Sequence, residues 1–434
     1  MTAAPQIHAS PHGVVGGRAV RRSLAFLLTG EGIGYAGSAV HAVALPALAV
    51  LSLEADPGQV ALLAFAAEIP ALVVALPAGV VVDRYPLRTV LFSTDLAAAA
   101  LVGVIPAAAF LDRLSMPLLY TVALALGVLS TLHTAASMAA VPLLAEPKHL
   151  HRANARFTAV ITIAGTAGTA LGTVLVATIG ATRAFAADAM SYLASAWCAT
   201  RIRALPSPDQ AQTARRPAIR EIREGLVHSA SHPILRPLYQ ALTVTGIGTG
   251  LTATLLSYHL LTDVHVGATS LGVIMAAGSL GGLSGALAAP RLVRRYGTGR
   301  VIACAWTVYT LMQIPPLIAR PGTAWLAILV VSGYGQWAAA TCVGTTQRSV
   351  QQRTTPPRLR ARVQQTALWL TTGTQPLAAL AAGALATVTS VRTVMTAGVI
   401  VLLLSTWMLW RSPVRRLTAM DGNTTVTQVP GPAS

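Results

Sequence analysis

What this sequence has least of is charge. Only 10% of its 434 residues are charged and the mean hydropathy is +0.62, where a soluble globular domain carries roughly 25% charged residues. So little polar surface cannot cover a water-soluble fold of this size, and that class is excluded. Acidic residues are the scarcer sign, 14 against 31 basic, and Lys148 is the single lysine, a bias that reflects a GC-rich coding sequence and carries no mechanism. Cysteine is scarce as well: Cys198, Cys304 and Cys342 all fall inside apolar runs, without metal-ligand spacing or an extracellular cluster that would make a disulfide framework, and read as small core residues. No zinc motif, Gly-x-Ser-x-Gly elbow or pair of aspartates in facing runs is present, so an enzyme is not expected. The glycines of Gly246-Ile247-Gly248-Thr249-Gly250 lie within an apolar run and not after a strand, which excludes a nucleotide loop.

What is abundant is long apolar stretches. A bilayer core about 30 Å thick needs ~20 mostly apolar residues per helix, because lipid offers no water to satisfy exposed backbone groups. Runs of that length occur at roughly 24–52, 59–82, 89–110, 117–144, 157–179 and 182–200, and again at 235–258, 268–290, 299–319, 323–344, 364–387 and 391–410. The expected fold is therefore an all-α membrane protein of about 12 transmembrane helices in two pseudo-symmetric six-helix halves. Its parts are a cytoplasmic N-terminal segment 1–23, a first half 24–200, a cytoplasmic linker 201–234 with a short amphipathic helix, a second half 235–410 and a disordered cytoplasmic tail 411–434.

Orientation follows from the basic residues beside the spans. With the N-terminus inside, 27 of the 31 lie on the cytoplasmic side, leaving only Arg113, Arg183, Arg320 and Arg392 outside. Both termini are expected in the cytoplasm. The same distribution accounts for the net charge of +17 without a nucleic-acid partner, because the charges are spread over short loops rather than gathered on one face. The first apolar run is too long for a secretory signal peptide, so no cleavage is expected.

The most specific local pattern is Gly79-Val80-Val81-Val82-Asp83-Arg84-Tyr85-Pro86-Leu87-Arg88, after the second span. Its physical logic is a charge latch. Gly79 lets two helices approach closely, and Asp83 accepts charge-assisted hydrogen bonds from Arg84, Arg88 or a helix N-terminus. An ordinary positively charged loop is the plainer reading, above all for Arg88. This loop resembles the major facilitator signature, from which it departs at Pro86, where a second glycine is usual, and at Leu87, where a basic residue is. A degenerate echo follows the eighth span, Gly285 through Arg291, Arg294, Arg295, Gly297 and Arg300, with no acidic residue.

More of the chain, roughly 20–410, resembles one branch of that superfamily, the bacterial transmembrane secretion effectors that include macrolide-type efflux proteins. Val43-Ala44-Leu45-Pro46, Leu76-Pro77-Ala78-Gly79, Arg152-Ala153-Asn154-Ala155 and Asp188-Ala189-Met190-Ser191-Tyr192-Leu193 carry the resemblance. It implies a multi-pass protein of the bacterial cytoplasmic membrane that exports drugs or secondary metabolites against protons, with a proton gradient for energy and no cofactor. The partners implied are a small-molecule substrate and the lipid bilayer, with a monomer as the expected state. Gly165, Gly168 and Gly172 sit where exporters of the superfamily carry a glycine-rich antiporter motif, with Thr169 and Thr173 replacing the expected proline and glycine; generic helix packing reads them equally well. A small-nutrient importer and a non-transporting membrane sensor or scaffold are the rival readings.

Charges within the spans are the best residue-level clue, because each is costly in lipid and persists mainly with a role or a partner. Glu31, Glu68, Asp95 and Asp188 lie inside expected spans and no Lys or Arg lies as deep, which disfavours a strongly anionic cargo and suits neutral or cationic amphiphiles. Glu31 and Glu68, with no basic partner visible in sequence, are candidates for proton exchange or substrate contact, against structural hydrogen bonding. Asp95 and Asp188 read as structural. His41 and His133 could relay protons, since histidine changes charge near neutral pH, or could be packing residues. Tyr35, Tyr258, Tyr334, Trp337 and Trp369 are candidates for cavity walls, against interfacial anchoring.

Overall fold

The computed structural model describes residues 17–145, 150–203, 227, 229–355, 363, 370 and 373–417, and these are almost entirely helical. Most of the expected linker, part of the expected eleventh span with Trp369, and most of the expected tail lie outside the described residues. The first half comprises α1 (Gly17–Ser52), α2 (Pro57–Val73), α3 (Ala75–Arg84), α4 (Leu87–Phe110), α5 (Met116–Leu143), α6 (Leu150–Ile179) and α7 (Ala181–Thr200). The second comprises α8 (Leu235–Thr262), α9 (Ala268–Tyr296), α10 (Thr298–Leu311), α11 (Ile314–Ile318), α12 (Thr323–Thr354), α13 (Thr374–Val388) and α14 (Val391–Arg411). Among the described residues, eight helices are long and apolar enough to cross a bilayer by themselves.

Two spans are broken, and proline explains both. Pro77 has no N–H for the Val73 carbonyl, so the second span splits at Val74 into α2 and α3. Pro315 and Pro316 likewise deny donors to Leu311 and Met312, and the ninth span splits into α10 and α11. The start of α2 is set by a reciprocal cap: Asp56 accepts from the Gln59 N–H at 2.8 Å and Gln59 accepts from the Asp56 N–H at 3.0 Å. One correction concerns the tail. Pro413–Arg416, expected to be disordered, form a 3-10 turn whose chain returns to α10, where the Gly299 N–H donates to the Leu417 carbonyl at 2.9 Å.

In α6, hydroxyls bond back along their own helix. Thr162, Thr166, Thr169 and Thr173 donate to the carbonyls of Thr158, Thr162, Gly165 and Thr169, each at 2.9 Å. Back-bonding of this kind satisfies a hydroxyl where no water is present.

The core is unequal at its two poles. At the pole bearing residues 53–56, 111–115, 263–267 and 319–322, one apolar cluster spans both halves, joining Leu48, Val60, Leu119 and Phe185 to Leu260, Leu271 and Leu329. At the opposite pole each half keeps its own cluster, around Leu91 and Val141 in one and around Leu238 and Ile302 in the other. The halves are therefore sealed together at one pole and parted at the other. Two seams make the seal, α2 against α13 and α6 against α9. Each closes on a glycine: a side chain at Gly383 would run into Ala61, and one at Gly272 into Thr173.

This arrangement predicts that Gly383→Leu, which overpacks the first seam, lowers stability by about 1–3 kcal/mol. Gly103, where a Cβ would meet no atom within 4 Å, is the control, since Gly103→Ala in an unobstructed helix should gain a few tenths of a kcal/mol, up to about 1. Thermal unfolding in detergent distinguishes them, and equal melting of the two variants would show that the seam is not tightly packed.

Candidate functional site

The first half carries its charged groups where α1, α4, α5 and α7 meet. His133 on α5 lies between two carboxylates, with Nε2 3.0 Å from Glu31 Oε1 on α1 and Nδ1 3.2 Å from Asp95 Oδ1 on α4. Ser137, one turn along α5, donates to the same Glu31 oxygen, and Thr94 Oγ1 lies 3.1 Å from His133 Nδ1. Glu31 and Asp95 are 6% and 3% exposed, so the contacts are made away from solvent. The i, i+4 spacing of His133 and Ser137 puts both on one face of α5, aimed at α1.

Proton counting follows from this geometry. A neutral imidazole has one N–H and cannot donate to two carboxylates at once. Only the Nε2–Glu31 contact has hydrogen-bond geometry, Nδ1 pairing with Thr94 and meeting Asp95 as a close charge contact; a second proton on the three groups makes the imidazole cationic between two carboxylates and leaves the cluster at net −1. One further proton would neutralise it, so the charge belongs to the cluster as a whole rather than to any one of the three groups. Ser195 on α7 is a further hydrogen-bonding neighbour of the Asp95 carboxyl, whose Oδ2 is buried and, among the described residues, has no hydrogen-bond partner of good geometry. The groups border a small polar cleft of about 50 Å³, lined also by Tyr35, Ser38 and Tyr192.

A second pair lies farther toward the sealed pole. His41 Nδ1 on α1 and Asp188 Oδ2 on α7 are 3.2 Å apart, yet misaligned, and neither atom makes a hydrogen bond. Asp188 is fully buried and accepts from Ser191 at 3.3 Å through its other oxygen. Gly37 is what admits it: a side chain there would occupy the place of Asp188 and Ser191.

The remaining expected site residues scatter. Glu68 is exposed and, among the described residues, makes no hydrogen bond or ion pair. It lies seven residues from Ala61, hence on the α2 face that meets α13 at Gly383, two turns toward the parted pole. It is therefore separate from Glu31, and Glu31 does have the basic partner that sequence did not reveal. Arg88 donates to the Thr200 carbonyl at 2.5 Å, a cation at the C-terminus of α7, and Arg84 is exposed. The side chain of Asp83 lies outside the described residues. The close approach expected at Gly79 is absent among the described residues, with nothing within 4 Å of a Cβ there. Gly168 and Gly172 do lie against the backbone of α1, at Ala36 and Val40, whereas Gly165 faces open space.

The second half contributes no charge at this depth among the described residues. Its side of the interior is a cavity of about 510 Å³ with Thr249, Tyr309, Gln336, Trp337, Gln347 and Gln375 on its walls and Arg348 toward the parted pole. Trp337 is the cavity-wall residue that sequence reasoning finds; it misses the amides and Tyr309, because glutamine carries no sequence signal that separates cavity from surface. Among the described residues no group of three or more His, Cys, Asp or Glu is arranged to hold a metal ion.

The model of the family described as transmembrane secretion effectors matches residues 21–433. An uncharacterised MFS-type transporter, y4rN of Sinorhizobium fredii, is 27% identical over 328 residues, 75% of this chain and 79% of that protein. The multidrug efflux pump Tap of Mycolicibacterium fortuitum is 28% identical over 365 residues, 81% of this chain and 86% of that one. Among solved structures, a bacterial homologue of the iron transporter ferroportin in an inward-facing state superposes with a TM-score of 0.69 at 15% identity, covering 90% of this chain and 98% of that chain.

If His133 bridges the two carboxylates, His133→Ala should destabilise the protein by about 3–5 kcal/mol, the cost of breaking a buried pair by removing one partner. Adding Glu31→Gln to that variant should restore part of the loss. A His133→Ala protein that melts with the wild type would show that the three groups do not support one another.

Proposed function

We propose that this chain, which belongs to the transmembrane secretion effector family of the major facilitator superfamily, exports a small neutral or cationic amphiphile across the bacterial cytoplasmic membrane in exchange for protons. The parted pole, beside which most of the arginines fall, faces the cytoplasm in this reading, so the molecule stands open to the inside. Cargo enters between the halves, the seams at Gly383 and Gly272 open as the other pole closes, and access alternates. A multidrug efflux pump among the relatives supports export over import.

The observation that carries the coupling is His133 held between Glu31 and Asp95 in mid-span. A unit that moves between net −1 and 0 with one proton takes that proton when it is dry, and releases it when a positive cargo or water arrives beside it. Glu68 has a different part. On the inter-half face of α2 and apart from the His133 cluster, it is placed as a polar contact for cargo on its path. The aromatic and amide wall of the second half offers stacking and neutral hydrogen bonds, which suits an amphiphile of variable shape.

The test is cargo-induced proton release from detergent-solubilised protein, with a fluorescent cationic dye as cargo. Glu31→Gln should bind the dye yet release no proton and lose gradient-driven export, whereas Glu68→Gln should keep proton release and bind the dye several-fold more weakly. Equal release from wild type and Glu31→Gln would sink the coupling assignment. For orientation, a reporter fused after Ser434 should be cytoplasmic and one inserted near Ala55 external; the reverse pattern would turn the transport direction around.

A further inference from the structure

The arginine-rich echo after the eighth span takes no part in the cavity between the halves. Its residues line a second cavity, of about 1300 Å³, on the opposite side of α10 and α12. The two helices make the partition plain. On α12, Gln336, Ala340 and Gln347 face the inter-half cavity, whereas Gly335, Ala338 and Cys342 face this one. On α10, Trp306 and Tyr309 face the first, and Cys304 and Val308 the second. The second cavity is thus a groove on the bilayer side of the helices.

Its two ends differ chemically. The deep end is closed by Tyr334, whose hydroxyl donates to Ser284 at 2.7 Å, and its walls are Leu292, Val301, Val308 and small residues. The mouth, at the parted pole, is ringed by Arg294, Arg295, Arg300 and Arg415. Gly297, at φ +85°, forms the one-residue turn that brings the first three together, and the docked 3-10 turn adds the fourth. Arg295 stacks 5.3 Å from the Tyr296 ring and Arg415 5.6 Å from Trp410. Among the described residues none of the four arginines is in an ion pair, and the echo, unlike the first-half loop, contains no acid to neutralise them.

We propose that this groove binds a phospholipid with an anionic headgroup, the phosphate at the arginine mouth and one acyl chain along the apolar floor between α9 and α10. Charge complementarity sets the headgroup, and the ~16 Å from Ser284 to Arg295 along α9, at 1.5 Å per residue, gives the chain most of its length. Guanidinium groups bind phosphate oxygens in pairs, and because every phospholipid has a phosphate the selection comes from net charge: four arginines without an acid favour a headgroup that brings no ammonium of its own, an anionic lipid over a zwitterionic one. The site does not depend on what the protein transports.

The experiment uses the full-length protein, delipidated and returned to nanodiscs of phosphatidylcholine doped with phosphatidylglycerol or, separately, phosphatidylethanolamine. Retained lipid is read by native mass spectrometry. Cys304, exposed in the groove while Cys198 and Cys342 are buried, gives a second readout through its rate of alkylation by a maleimide. Wild type should prefer phosphatidylglycerol by at least about tenfold, as three or four interfacial arginines permit, and that lipid should slow alkylation of Cys304. Arg294→Gln, Arg295→Gln and Arg300→Gln together should abolish both effects, while Arg113→Gln with Arg392→Gln at the other pole changes neither. Val308→Trp, which fills the groove and leaves every arginine, should abolish them too. Retention of the preference in either the triple or the filled variant overturns the proposal, as does full competition by free inorganic phosphate, which would make the mouth a phosphate site without a lipid.

Discussion

An apolar seal at one pole determines what the rest of this molecule can do. Leu48, Val60, Leu119 and Phe185 from one half meet Leu260, Leu271 and Leu329 from the other, and among the described residues nothing equivalent joins the halves at the far pole. Lipid tails are as apolar as leucine, so helices gain little by merely hiding such residues from the bilayer, and association rests on close packing. That is why the seams run over Gly383 and Gly272, where backbones come near enough for dispersion contacts to accumulate. A seal of this kind is strong when shut and loses its contacts together when it parts. It favours two discrete arrangements over a continuum.

Within that frame the halves have divided their chemistry. The first holds Glu31, Asp95, Asp188, His41 and His133 in two buried groups, and the second meets them with amides, hydroxyls and aromatic rings. Burying several ionisable groups in lipid is tolerable when each has a partner and the net charge stays small. Concentrating them in one half allows a single imidazole to serve two carboxylates. It also leaves the facing wall, among the described residues, free of fixed charge at the same depth, Arg348 lying nearer the parted pole, a wall suited to shape and polarisable surface rather than to a matched ion.

Much of the fold could be read from the chain because the bilayer imposes a length on every span. The apolar runs correspond to the helices described, including the two that proline divides. The site was legible only in its ingredients. Glu31, His41 and His133 stood out as costly residues, but residues 31, 95 and 133 lie on three helices whose mutual rotation no local pattern records, so Asp95 and Asp188 read as structural and the partner of Glu31 was invisible. Glu68 looked equivalent to Glu31 because both are lone glutamates in apolar runs, and only the packing of α2 on α13 separates them. Gly79 and Gly165 illustrate the limit from the other side. A glycine permits close approach but does not cause it, and at both positions no neighbour has taken up the offer.

The hydroxyl ladder along α6 has a mechanical consequence. Each of the four threonines loads a carbonyl that already accepts an amide hydrogen bond, and a shared acceptor holds its amide less tightly. A helix weakened in this regular way along one side is a leaf spring: stiff in tension, compliant in flexure, and with a preferred plane of curvature. The top of the ladder, Thr173, is the very residue that presses on Gly272 across the seam. The helix whose backbone is softened along one side is thus also the one that closes the seam, so any bending of α6 would act directly on the Thr173–Gly272 contact.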